Sequence, residues 1–113
     1  MTARNKLLTA PPYPVEQTLT QLGANLRTAR LRRNLTIAEM AEKIGTGTRA
    51  IADAEHGKPS TSIAVYVALL WALDLLDHMV GVAAPERDEE GQTLALARER
   101  DRARPKGGLD NDF

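Results

Sequence analysis

The 113-residue chain contains no cysteine, only one phenylalanine and one tryptophan, and no net charge. Without cysteine, neither a disulfide framework nor a thiolate zinc site can form, which fits a reducing cytoplasm. No apolar run reaches the ~18 residues of a membrane span, and the N-terminus has no signal-like apolar core. A soluble cytoplasmic protein is therefore expected, with no membrane partner. The two histidines, His56 and His78, have no spacing partner that would make a metal site or a catalytic triad. Acid pairs such as Glu89–Glu90 read as a solvated run, so no enzyme activity, metal or cofactor is expected. At this length the chain holds about one small domain, ~60–75 core-forming residues plus tails.

What is present is unevenly distributed. Met1 to Lys58 carries nine Lys or Arg against five acids, and Pro59 onward six against ten, giving +4 and −4. A basic front and an acidic rear fit one side facing nucleic acid and another facing protein.

The most ordered pattern is TIAEMAEKIGTGTRAIADAEHGK, Thr36 to Lys58. Thr36 with Glu39 forms a capping box that starts a helix. Ile37, Met40, Ala41 and Ile44 then share one apolar face. Gly45 suits the left-handed position that ends such a helix. Thr46 or Gly47 can cap a second helix, in which Ala50, Ile51, Ala54 and Glu55 turn inward. Gly57 closes that helix and Pro59 prevents its continuation. Two short helices across a tight glycine-containing turn make a helix-turn-helix, whose second helix can enter a DNA major groove.

Residues 1–14 read as an extended arm, because Pro11, Pro12 and Pro14 forbid a regular helix there, with Arg4 and Lys6 as its cations. A first helix is expected to begin between Val15 and Thr20 and run to about Arg33, with Leu19, Leu22, Leu26 and Ala29 inward. Asn34 tolerates the left-handed conformation that ends it, and Leu35 hooks the chain back. Ser60, Thr61 or Ser62 caps a fourth helix, for which Ile63, Val67, Leu70 and Trp71 are the expected main stripe. Leu75, Leu76, Met79 and Val80 start a short fifth helix. This region is apolar on more than one face, so it is either one monomer's core or in part a subunit interface. From Pro85 the composition turns acidic, then to a mixed-charge helix-prone stretch over about residues 89–104, and ends in the polar PKGGLDNDF. The expected organisation is an arm at 1–14, an all-α helix-turn-helix domain at 15–84, and a tail at 85–113 with a marginal helix and a disordered end.

LGANLRTARLRRNLTIAEMAEKIGTGTRAIADAEHGK resembles the Xre, or phage-repressor-like, helix-turn-helix family, through its L-T-x-x-x-[LM]-A-x-x-[IV]-G pattern and E-x-G-K ending. The resemblance covers about Leu22 to Val80. It implies a five-helix repressor-like fold and binding to double-stranded operator DNA, palindromic if the protein is a homodimer. The stretches HGKPSTSIAVYVALLWALDLLDHM and LALARERDRAR and the LDNDF end look like the HipB-like regulators encoded beside HipA-type kinase toxins. That likeness implies an antitoxin that binds the kinase and represses its own operon. A stand-alone repressor and a protein-interaction module with little specific DNA binding are the alternatives.

The family commonly places a DNA-touching Gln directly after the capping Thr. Here the position is Ile37, which cannot make that contact. By position, the resemblance makes Thr48, Arg49, Ala52 and Asp53 the base-facing set. Arg49 suits bidentate readout of guanine, and Asp53 either accepts from cytosine or holds Arg49 in place. It also pairs Arg30 with Glu55, tying the first helix to the recognition helix, with Arg30 reaching a phosphate as well. Phosphate contacts are expected from Arg27, Arg32 and Arg33, the N–H groups around Thr46 and Gly47, and Lys58. Trp71, Leu75, Leu76, Met79 and Val82 form the candidate dimer surface. Phe113, last in the chain behind an acidic pair, is either accidental or, with Leu109, a plug for a partner's pocket.

Overall fold

The computed structural model describes residues 5–104, and among them the fold is all helix and connecting loop, with no strand. No helix among the described residues is long and apolar enough to cross a membrane. Arg4 and the terminal segment 105–113, with Leu109 and Phe113, lie outside the described residues. The helices are α1 (Lys6–Thr9), α2 (Tyr13–Arg32), α3 (Ile37–Ile44), α4 (Thr48–Glu55), α5 (Ile63–Ala72) and α6 (Glu89–Ala103). Single 3-10 turns occur at Leu76–Met79 and Pro85–Arg87. The chain divides into two compact units at Met79/Val80, ahead of Pro85 where the composition changes.

Two details differ from the extended arm expected at the N-terminus. Asn5 Oδ1 accepts from the Leu7 N–H at 3.0 Å and starts the one-turn helix α1. The long helix α2 begins at Tyr13, because Pro14 occupies its first turn, where a missing N–H costs nothing. At the other end Asn34 adopts φ +56°, and the Leu35 N–H returns to the Arg30 carbonyl at 3.2 Å. Leu35 thereby turns back onto the core.

Helices α3 and α4 form the helix-turn-helix. The Thr36–Glu39 capping box is complete, with the Thr36 N–H donating to Glu39 Oε1 at 2.8 Å and the Glu39 N–H to Thr36 Oγ1 at 3.0 Å. These bonds hold the Glu39 carboxyl below its ordinary pKa. Gly45 is left-handed (φ +78°) and ends α3, with its N–H on the Ala41 carbonyl at 2.9 Å.

The core of the first unit gathers Leu26 of α2, Met40 of α3, Ile51 of α4, Leu69 and Leu70 of α5, and Leu73. The inward stripe of α5 is only in part the one expected: Leu70 is buried and Val67 half-buried, but Ile63 and Trp71 are not. Tyr66, Leu69, Leu70 and Leu73 are buried, whereas Ile63 and Trp71 are 69% and 55% exposed. Helix α5 is apolar all round, so periodicity could not choose its inner face. Tyr66 helps to set it: the hydroxyl donates to the Lys58 carbonyl at 3.4 Å, and burial raises the phenol's pKa. The expected fifth helix is only the 3-10 turn Leu76–Met79. It follows a left-handed Asp74 (φ +63°), where the Leu75 N–H reaches back to the Leu70 carbonyl.

In the second unit, Asp88 caps α6 by accepting the Gly91 N–H at 2.9 Å. Gln92 Nε2 donates to the Pro85 carbonyl at 3.0 Å, tying the Pro85–Arg87 turn to that helix. Helix α6 buries none of its residues, and Leu94 and Leu96 are exposed.

Candidate nucleic-acid interface

The second helix of the motif, α4, is held from behind by a buried ion pair. Arg30 Nε donates to Glu55 Oε2 at 2.6 Å and Nη2 to Glu55 Oε1 at 3.0 Å, a bidentate fork. Arg30 Nη1 donates to the Leu35 carbonyl at 2.8 Å. The hydrogen bonds to Glu55 raise the Arg30 pKa, against the opposing effect of burial. Every guanidinium nitrogen is thus engaged inside the protein, and both residues are buried. This corrects one expectation: Arg30 is turned inward rather than to a phosphate, since three of its five N–H donors go to Glu55 and Leu35 and its side chain is only 8% exposed.

Two glycines let α2 and α4 approach at backbone distance. A Cβ at Gly23 would lie 2.6 Å from the Ala54 and Glu55 carbonyl oxygens, closer than real contacts allow. Gly57 is left-handed (φ +70°), and a Cβ there would meet the Leu19 carbonyl at 2.5 Å. Gly23 carries no role in the sequence reading, although a glycine in mid-helix is a signal of close packing. The pair and the glycines together fix where α4 points.

The outward side of α4 is organised by helical spacing. Arg49, Ala52, Asp53 and His56 stand at i, i+3, i+4 and i+7 and share one face. Arg49 and His56 are exposed, and Ala52 and Asp53 half-buried. His56, beyond the base-facing set expected from the resemblance, takes its place on this face by its i+7 spacing from Arg49. Its Nδ1 lies 2.8 Å from the Ala52 carbonyl, which leaves Nε2 on the far side of the ring. Asp53 sits between two cations, with Oδ1 3.7 Å from Arg49 Nε and Oδ2 3.8 Å from Lys58 Nζ.

The amino end of α4 has Gly47 as its N-cap, with no side-chain cap hydrogen bond. Thr48 and Arg49 open the helix with amide groups that have no intrahelical acceptor, at the positive end of the helix dipole. Such an end takes an anion. Thr46 departs from expectation: its N–H is already bonded to the Ala41 carbonyl at 2.9 Å, so that amide cannot serve a phosphate. Among the other cations, Arg27 and Arg32 are exposed, and Arg33 Nη1 donates to the Ala29 carbonyl at 2.9 Å. Ile37 is half-buried and packs on the core, so the first turn of α3 presents an apolar side chain where a polar reader would stand.

Residues 21–89, more than half of the chain, match the family model of a helix-turn-helix domain. The chain belongs to the helix-turn-helix domain family. The match takes in α2 from residue 21 onward and all of α3, α4 and α5, including both glycines and the Arg30–Glu55 pair. No curated protein and no solved structure matches the chain. Membership of this helix-turn-helix family supports a DNA-binding role for the chain.

The residues expected at a subunit interface divide. Trp71 and Leu76 are exposed, whereas Leu75 and Met79 are half-buried and pack on the first unit's own core. Val82 belongs to the second unit and is exposed.

Proposed function

We propose that the protein is a dimeric, operator-binding regulator that also serves as the antitoxin to a HipA-like Ser/Thr kinase and represses its own operon. The observation that carries the DNA part is the uncapped amino end of α4, with Thr48 and Arg49 exposed on a helix pinned from behind by Arg30–Glu55. Arg49 reads guanine O6 and N7, Thr48 bonds a base or phosphate, and Ala52 allows close approach. Arg27, Arg32, Arg33 and Lys58, with the Gly47–Thr48 amides, follow the phosphates.

Dimerisation is supported by α5. Its ten residues, Ile63–Ala72, include no charged side chain, yet Ile63 and Trp71 face outward with Leu76 beyond the helix end. An apolar outer face on a helix already buried on the other side fits contact with a second copy. Two copies place two recognition helices about one helical turn of DNA, ~34 Å, apart, so a palindromic operator is the matching target. The kinase part is supported by the resemblance of the stretches after His56 to HipB-like regulators. Helix α6, which buries no residue, offers a surface for a protein partner.

The deciding experiment is fluorescence anisotropy with a duplex from the region upstream of the protein's own gene, repeated across salt. Saturable binding with a log–log salt slope of about −0.9 per phosphate contact is expected. A salt-independent affinity, or none, would refute the regulator reading. Co-purification with the product of the neighbouring gene tests the antitoxin part separately.

A further inference from the structure

An acidic side chain on the face that meets DNA needs a physical reason. Asp53 stands in the middle of that face, between Arg49 and Lys58, and its side chain is 27% exposed against 86% for Arg49 and 49% for Lys58. The arrangement is built into the backbone. Arg49 and Asp53 are one helical turn apart on α4. Lys58 follows the left-handed Gly57, and its N–H donates to the Asp53 carbonyl at 3.0 Å. The Lys58 carbonyl in turn accepts from the Thr61 N–H at 3.0 Å and the Tyr66 hydroxyl at 3.4 Å. The fold therefore anchors the lysine backbone on both sides and sets its ammonium against the same carboxylate that Arg49 meets.

We propose that Asp53 is a specificity-determining residue that acts through Arg49 and Lys58, holding both cations away from DNA of the wrong sequence. This rests on the DNA-binding reading above. A cation on a carboxylate releases no counterion when a phosphate approaches, so generic binding is weaker than the cation count implies. At the right sequence Arg49 leaves Asp53 and gains a bidentate contact with guanine in exchange. At the wrong sequence it gains only a phosphate, and the lost pairing with Asp53 is not repaid. Discrimination comes from this unfavourable element as much as from the guanine contact itself.

The test compares the full chain with Asp53→Asn and Asp53→Glu on two duplexes, one from upstream of its own gene and one of scrambled sequence, across salt. Asparagine keeps the shape of a half-exposed side chain and removes its charge. Asp53→Asn is expected to tighten binding to the scrambled duplex about three- to tenfold and to steepen its salt slope by about 0.9, one added phosphate contact. The preference between the duplexes should shrink, and Asp53→Glu should keep the wild-type slope. In a chain that already carries Arg49→Ala and Lys58→Ala, Asp53→Asn should change nothing.

An unchanged slope and affinity for Asp53→Asn, beside a wild type that binds, overturns the role of Asp53 alone. So does a change of equal size in the chain lacking both cations, which would mean that Asp53 repels phosphates directly. Weakened binding to the upstream duplex, with the scrambled one unaffected, would make Asp53 a base acceptor and equally overturn it. A wild type that binds neither duplex refutes the DNA-binding reading and this inference with it.

Discussion

Substituting Glu55 with Ala removes one partner of a buried pair, and the structure sets the scale of the loss. Arg30 would keep its charge inside the protein, with Nε and Nη2 stripped of acceptors at 2.6 and 3.0 Å and only Nη1 still bonded, to Leu35. Breaking a buried pair in this way costs about 3–5 kcal/mol. A unit of about 75 residues has a total stability of roughly 4–11 kcal/mol and an unfolding entropy near 0.16 kcal/mol/K. The expected fall in Tm is therefore roughly 20–30 °C, read by circular dichroism, with urea titration giving the free energy. A control separates the lost bond from the stranded charge. Arg30→Met with Glu55→Leu removes both charges together and leaves only the Leu35 carbonyl without its donor, a loss of about 1 kcal/mol. The double variant should therefore be far more stable than Glu55→Ala alone. A single variant that loses less than about 1 kcal/mol at unchanged m-value, or a double variant as unstable as the single, would refute the reasoning.

Three further outcomes follow from the same geometry. The Glu39 carboxyl titrates below its ordinary range because Thr36 hydrogen-bonds its charged form, so its stabilising effect is full above that range and lost as pH falls through the depressed value. Between about pH 5 and 3 the wild type should lose Tm more steeply than Glu39→Gln, and parallel melting curves would count against it. Gly57→Ala combines a left-handed residue with a Cβ 2.5 Å from the Leu19 carbonyl, and a loss of about 2–4 kcal/mol is expected in urea unfolding. Trp71→Glu should leave the helical circular dichroism of the fold intact, because the side chain is exposed, yet shift sedimentation from dimer to monomer; a dimeric variant would move the interface elsewhere.

The helix-turn-helix was legible because its signals are local. Thr36, Glu39, Asn34 and Gly45 act within four residues of their own positions, so the capping box and left-handed stops follow from spacing alone. The start of α2 is not legible from its three prolines, because Pro14 interrupts nothing when it falls in the first turn of the helix. The inner face of α5 depends on what α3 and α4 present to it. A run such as IAVYVALLWA carries no polar stripe to mark the choice. The fork of Arg30 onto Glu55 is likewise decided by a neighbour 25 residues away, whereas the Thr46 amide goes to Ala41 in the local ending of α3. Asp53's second cation, Lys58, lies beyond the end of α4, and only the left-handed turn at Gly57 brings it round.

The reading face and the outer face of α5 are connected by magnitude. A good bidentate contact from Arg49 discriminates against a wrong base by about 1–3 kcal/mol, whereas specific DNA binding exceeds non-specific binding by roughly 4–10 kcal/mol. One copy of α4, with Ala52 able to offer only a methyl group, falls short of that range. Two copies double the number of base contacts and require both half-sites to be correct at once. The half-site spacing then excludes sequences that a single helix would accept. Ile63 and Trp71 expose apolar area on a helix whose other side is already in the core, so the proposed dimer would gain by covering them. In the proposed dimer, pairing through α5 would supply the specificity missing from the groove-facing side, and discrimination should then fall as the protein is diluted and the dimer dissociates.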